Sequence, residues 1–209
     1  MIAIVDYGVG NLFSLRSSLS ALGLVAEVTG DPKQLAAASH IILPGVGAFA
    51  NAMAKLQGAG LAGVVRQQAA AGKPLLGICL GMQLLFQKSY EFGEHEGLGL
   101  VPGQVCPLAP DLAMAGYNYK VPHIGWNPLQ IQRPQSPILR YTQEGDSVYY
   151  VHSFYAKNCD EAVVATSEYG VTVTGAVQKG NVFGTQFHPE KSGDVGLAML
   201  KAFAEVETC

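Results

Sequence analysis

The sequence predicts an α/β protein with a mixed, mostly parallel central sheet flanked by helices and antiparallel strands added in the C-terminal half. Three observations carry this. From residue 2 to residue 87, short apolar runs alternate with segments of helical spacing, the pattern of parallel strands joined by right-handed crossovers. From about residue 147 to 187, strand-like runs succeed one another through tight turns, which favours antiparallel pairing. A helical stretch closes the chain. No internal repeat or linker interrupts it, so residues 1–209 are read as one domain.

Each element has a local reason. Ile2 to Tyr7 is an apolar run ending near Gly8 and Gly10, a buried strand entering a turn. Asn11 stands where an N-cap belongs. Leu12, Leu15, Leu19 and Leu22 recur at helical spacing, and Gly23 takes the C′ position. Leu24 to Val28 is the second strand. Asp31-Pro32 supplies a cap and a first-turn proline for a short helix. His40 to Leu43 is the third strand and leads into Pro44-Gly45-Val46-Gly47-Ala48-Phe49, a glycine loop at a strand end. A helix is expected from about Leu61 to Ala71, stopped by Gly72. Pro74 to Ile78 is the fourth strand and Leu80 to Gln87 the helix after it. Residues 102–137 are rich in proline, glycine and aromatics and show no helical period. Ser147 to Ala156 and Ala162 to Phe187 read as strands, the second run folded at Glu168-Tyr169-Gly170 and Lys179-Gly180-Asn181. All are expected to extend the sheet in antiparallel fashion. Gly193 to Val206 is the closing helix, carrying Leu197, Leu200 and Phe203.

Composition narrows the function. Of 209 residues 49% are apolar and only 14% charged, enough to bury a large core without a metal or disulfide staple. Net charge is −3 and no Lys/Arg cluster occurs, which argues against nucleic acid as a partner. Asp6 interrupts the first apolar run, unlike a secretory leader, and no run approaches the roughly 18 apolar residues of a membrane span. A cytoplasmic chain without a membrane partner is expected. None of the four cysteines forms a C-x-x-C pair, so neither a metal nor a dithiol motif is expected. Cys106 and Cys159 read as small buried hydrophobes and Cys209 as part of a frayed end.

Cys79 is different. Gly77-Ile78-Cys79-Leu80-Gly81 is G-x-C-x-G between a strand and a helix, the thiol form of a nucleophile elbow. Glycines on both sides allow the sharp turn. The side chain then projects at the sheet's C-terminal edge, and the N–H groups and dipole of the next helix favour a thiolate. The N–H of Leu80 is placed to stabilise an oxyanion. The run Phe187-His188-Pro189-Glu190-Lys191 supplies the base. In extended chain, residues two apart point to one side, and Pro189 biases His188 towards that geometry. His188 would take the thiol proton and Glu190 would orient the imidazole. His40, His95, His123 and His152 are the competing bases, His95 the weakest because it sits in a polar glycine-rich loop.

Taken together, Pro44-Gly45-Val46-Gly47, Gly77-Ile78-Cys79-Leu80-Gly81-Met82-Gln83 and His188-Pro189-Glu190 resemble the class I (triad) glutamine amidotransferases in order and spacing. Asp6 to Leu12, Pro44 to Phe49, Pro122 to Asn127 and Tyr149 to Phe154 are similar to a narrower branch, the glutaminase subunits that serve a cyclase of histidine biosynthesis. The resemblance covers essentially the whole chain and implies hydrolysis of glutamine to glutamate through a Cys79 thioester. Ammonia would pass to a (β/α)8-barrel cyclase in a heterodimer, with no cofactor on this chain. Position by position, it implies an oxyanion hole at Val46 and Leu80. Substrate contacts would come from Gly47, Gln83, His152, Ser153 and Phe154, and Asn11, Trp126, Tyr149 and Lys191 would lie towards the partner. Three alternatives stay open: an amidotransferase subunit of another pathway, a thiol peptidase with a related elbow, and a non-catalytic scaffold.

Overall fold

A computed structural model describes residues 1–207, so Cys209 lies outside the described residues. The first half runs β1 (Ile2–Val5), α1 (Leu12–Ala21), β2 (Ala26–Thr29), α2 (Pro32–Ala37), β3 (His40–Leu43), α3 (Phe49–Gly58), α4 (Leu61–Ala70), β4 (Leu75–Ile78) and α5 (Leu80–Leu85). The second half runs β5 (Lys88–Ser89), β6 (His95–Glu96), β7 (Gln104–Pro107), α6 (Leu108–Met114), β8 (His123–Pro128), β9 (Gln130–Ile131), β10 (Ser147–His152), β11 (Phe154–Lys157), β12 (Val163–Glu168), β13 (Thr172–Lys179), β14 (Val182–Thr185) and α7 (Gly193–Ala204).

The main sheet has the order β2-β1-β3-β4-β14-β13-β12-β9. Strands β2 to β14 in that order pair in parallel, and β13, β12 and β9 add in antiparallel fashion. β1, β3, β4 and β14 are buried along their whole length, as parallel strands covered on both faces must be. Alternation along β1 splits the core. Ile2 and Ile4 pack with Leu15, Leu19 and Phe203 on one face, and Ala3 and Val5 with Leu35, Phe49 and Leu56 on the other. The caps act as expected: Asn11 accepts from the Ser14 N–H, and Asp31 from that of Lys33 ahead of Pro32. No described helix is long and apolar enough to cross a membrane.

Four sequence expectations change. Helix α3 was missed, although Phe49, Ala52, Met53 and Leu56 form one buried stripe, because its start has no side-chain cap. The run from 147 to 156 is two strands, neither in the main sheet: β10 pairs with β8 in a two-stranded ribbon, and β11 joins β7, β5 and β6. Cys106 is only partly buried, whereas Cys159 is buried.

The fourth change matters most for the site. β14 lies parallel, not antiparallel, beside β4. Thr185 is in register with Ile78, so both strands end at the same sheet edge and their outgoing segments emerge side by side. The residues after β4 are the elbow, and those after β14 are Gln186 to Glu190.

Candidate active site

Cys79 sits between β4 and α5 with φ +54° and ψ −112°, a left-handed conformation that a side-chain-bearing residue adopts only under constraint. Its N–H donates to the Thr185 carbonyl at 2.7 Å, so β14 holds the turn from the side. Both flanking glycines are steric necessities. A Cβ at Gly77 would lie 2.7 Å from the Gly81 oxygen and the Met82 backbone, and one at Gly81 would lie 1.8 Å from the Leu43 oxygen. The Tyr7 hydroxyl donates to the Pro44 carbonyl at 2.7 Å and pins the glycine loop against the elbow. Within that loop Gly47 has φ +102° and open space around it, so glycine is required there by the backbone alone.

His188 and Glu190 stand beside the elbow. Nδ1 of His188 donates to Glu190 Oε1 at 2.8 Å, with both side chains almost wholly buried. The His188 main chain is fixed too: its N–H donates to the Tyr149 carbonyl, and its carbonyl accepts from the Ser192 hydroxyl at 2.6 Å. Burial pushes the imidazole pKa down, but Cys79 and Glu190 outweigh that and raise it to about 9. Nε2 is buried and has no partner of ordinary hydrogen-bond geometry, although the Cys79 sulfur is close enough to help hold the ring's charge. The nitrogen not committed to Glu190 is thus the one available to take the thiol proton.

A cavity of about 640 Å³ opens above the sulfur. Cys79, His188, Val46, Gly47, Leu80 and Gln83 line it, together with the His152-Ser153-Phe154 segment and Lys191. Asn11 instead borders a small adjoining cavity with Val46, His188 and Glu190. Trp126 is 58% exposed, so it is not a core residue, and its ring packs edge-on against Tyr149, which in turn lies under the Lys191 ammonium. A wider groove of about 740 Å³, lined by Gln132, Lys157 and Thr166, holds only Cys159 as a thiol, and burial raises that pKa to about 11.

Sequence reasoning missed Tyr7, Glu91, Phe92, Gln186 and Ser192. Glu91 and Phe92 line the cavity, and only the fold brings them there. Gln186 was legible, because it lies two residues before His188 on an extended run and so shares its side.

The competing histidines are occupied. His152 Nδ1 donates to the Phe154 carbonyl at 3.0 Å, and its Nε2 meets His123 Nδ1 at 3.0 Å. A carbonyl only accepts, so His152 carries its proton on Nδ1 and His123 is the donor between them. His123, stacked between Tyr150 and Tyr169, then accepts from Asn127 on Nε2. Burial lowers the His123 pKa to about 4; burial and the neighbouring His123 lower that of His152 to about 3. Both are neutral at pH 7 and unsuited as bases for this thiol.

These shifts predict a stability profile of fixed sign. Below pH 6.5 the unfolded chain protonates His123 and His152 while the folded chain does not, so stability falls as pH drops towards about 4 and 3. For His188 the folded pKa lies above the unfolded value. Its contribution is complete below 6.5 and disappears as pH rises through about 9. Thermal melts from pH 4 to 9 should peak near 6.5, and His123→Gln should flatten the acid limb; an unchanged acid limb would contradict this assignment.

A buried cysteine on a strand-to-helix elbow, beside a His–Glu pair that follows the next parallel strand, is the arrangement a cysteine amidohydrolase would need. The family model for Glutamine amidotransferase class-I matches residues 3–206, and the chain belongs to that family. Among curated relatives, the imidazole glycerol phosphate synthase subunit HisH of Lactiplantibacillus plantarum is 52% identical over 206 residues, 99% of this chain and 96% of its own. The HisH subunit of Syntrophotalea carbinolica is 48% identical over 99% of this chain and all of its own. Within the family, the chain's branch is that of the HisH subunits. Two solved structures share the fold. A glutamine amidotransferase has a TM-score of 0.73 at 19% identity, covering 98% of this chain and 100% of its own. The PurLQS structure from Thermotoga maritima has 0.74 at 21%, covering 97% and 96%.

Proposed function

We propose that the chain is a single-domain glutaminase subunit of imidazole glycerol phosphate synthase, working through a Cys79 thioester and passing ammonia to a (β/α)8-barrel cyclase. The observation that carries this is near-50% identity to HisH subunits over the full length, with Cys79 and His188 lining one cavity and Glu190 bonded to the His188 ring. As a class I glutamine amidotransferase, the chain hydrolyses glutamine.

The geometry supports a definite order of steps. His188 Nε2 takes the thiol proton, and the sulfur attacks the side-chain amide carbon of glutamine. The N–H groups of Val46 and Leu80 hold the oxyanion. As the C–N bond breaks, the imidazolium returns its proton to the nitrogen and ammonia leaves. His188 then deprotonates water, which cleaves the thioester to glutamate and the thiol. Gln83 spends its N–H groups on the Phe154 carbonyl and on Gln186, so its own oxygen is left for the substrate's α-ammonium, with Glu91 adding negative charge. Both ring nitrogens of His152 are engaged, so the 152–154 segment meets glutamine through its backbone and the Ser153 hydroxyl, opposite Gly47. Asn11, Trp126, Tyr149 and Lys191 form the cyclase-facing rim. The same reading places the protein in the cytoplasm, where a nucleophilic thiol stays reduced.

One oxyanion donor comes from a glycine loop, and losing such a donor costs about 2.7–4 kcal/mol of barrier. The loop turns its N–H inward only when the loaded cyclase is bound, so that glutamine is not wasted. Glutaminase turnover should rise about a hundredfold or more when cyclase and its ligand are added to the isolated chain. Equal rates with and without them would reject this control.

A further inference from the structure

Gln186 is wholly buried between the nucleophile and the glutamine subsite, and the proposed steps give it no part. Its backbone is anchored to β13, the N–H donating to the Gly175 carbonyl at 2.8 Å. Its side-chain oxygen accepts from Gln83 Nε2 at 3.0 Å, and its Nε2 lies 3.8 Å from Cys79 Sγ. The orientation of both amides is forced. Gln83 Nε2 also reaches the Phe154 carbonyl at 3.0 Å, and a carbonyl accepts only. Gln83 therefore presents its two N–H bonds to Phe154 and Gln186, which turns the oxygen of Gln186 towards Gln83 and its NH2 towards the sulfur. The same Phe154 carbonyl takes the His152 Nδ1–H, so a fixed acceptor at the chain's far end sets the polarity of the whole relay.

We propose that Gln186 is a further catalytic residue, an amide donor to the Cys79 thiolate. Resting on the glutaminase reading, the thiol proton moves to His188 Nε2 and the charge left on sulfur is met by the Gln186 N–H. An uncharged thiol has a different partner, the Val151 carbonyl 4.0 Å from Sγ. The two contacts divide the work: one carbonyl accepts from S–H, and one amide donates to S⁻. A hydrogen bond to an ionised group in a buried, low-dielectric site is stronger than one to a neutral group, so the amide favours the nucleophilic form. Gln186 also couples thiolate formation to the subsite, because Gln83 cannot move without releasing the amide that faces sulfur.

The test is iodoacetamide alkylation of the isolated chain as a function of pH, monitored on the Cys79 peptide by mass spectrometry so that the other thiols do not contribute. Gln186→Met, similar in length but without the donor, should slow Cys79 alkylation at pH 7 about tenfold and move the rate profile to higher pH. Gln186→Glu keeps an acceptor for Gln83 but sets an oxygen against sulfur, and should move the profile further. A wild-type profile in either variant with a native circular dichroism spectrum overturns the proposal. If neither variant folds, the Gln186 side-chain amide resonance of the unaltered chain decides. It should shift with the midpoint of the alkylation profile and stay still in Cys79→Ala; no shift in the unaltered chain rejects the contact. Alkylation needs neither glutamine nor cyclase. A chain that stays inert to glutamine even with cyclase and its ligand present, yet whose Gln186 variants show the displaced profile, would retain this inference and reject the glutaminase reading.

Discussion

Cys79→Ala removes glutamine turnover, with a loss of at least about a thousandfold, yet leaves ammonia-dependent synthesis by the assembled complex intact. No other described thiol can replace the sulfur, since neither Cys106 nor Cys159 lines the cavity. The substitution is also gentle on the fold. Residue 79 already holds φ +54° with a Cβ present, so alanine adds no clash and keeps the Thr185 hydrogen bond through its backbone. What disappears is the proposed nucleophilic atom, together with one of the two groups that keep His188 charged; the pKa of His188 should therefore fall from about 9. Assaying the complex with glutamine and then with ammonium salt separates the outcomes. Loss of both activities would mean that Cys79 is structural.

Gly81→Ala gives the largest expected stability loss. The added methyl would lie 1.8 Å from the Leu43 oxygen and 2.8 Å from its carbonyl carbon, inside any permitted contact. Neither side can yield. Leu43 is in register with Gly77 at the end of β3, and the next carbonyl, Pro44, is held by Tyr7. Overlap between fixed backbones belongs with the severe class of substitutions, above about 4 kcal/mol, so the variant should be unfolded or insoluble. Gly63→Ala is the matched control: it lies in α4, nothing stands within 4 Å of the new methyl, and helix propensity favours alanine by up to about 1 kcal/mol. Urea midpoints of the two variants should move in opposite directions. A stable, native-like Gly81→Ala would show that the elbow is looser than this packing implies.

Much of the scaffold is written in local pattern. β1, α1, α2, β3, α4, β4 and α7 arise from apolar periodicity and from cap residues such as Asn11 and Asp31, signals spanning a few residues. The elbow is legible for the same reason, since the strain at Cys79 and the need for Gly77 and Gly81 arise within five residues. α3 shows a limit of local pattern, because its buried stripe is present but its capping signal is missing. In α6, only Leu108 and Leu112 are buried and Pro110 lies in the first turn, too little to register as a period. β5 and β6 are two residues each, and only pairing with distant strands makes them strands at all.

Sequence alone singles out the residue types proposed to carry the chemistry: a cysteine on a glycine-flanked turn, and a histidine with a carboxylate two places on. Spacing of two or four along a chain becomes direction once the local backbone is known, so these relations need no tertiary knowledge. Whether they meet was decided by β14 lying parallel to β4, with Thr185 beside Ile78. That choice rests on burial of a whole strand between two others, an energy shared by residues about a hundred positions apart. The Gln83–Gln186–Cys79 contacts, the neutral His123–His152 pair and Tyr7 on Pro44 belong to the same category. Each is a hydrogen bond in a dry interior, and its strength depends on a partner that only the folded chain supplies.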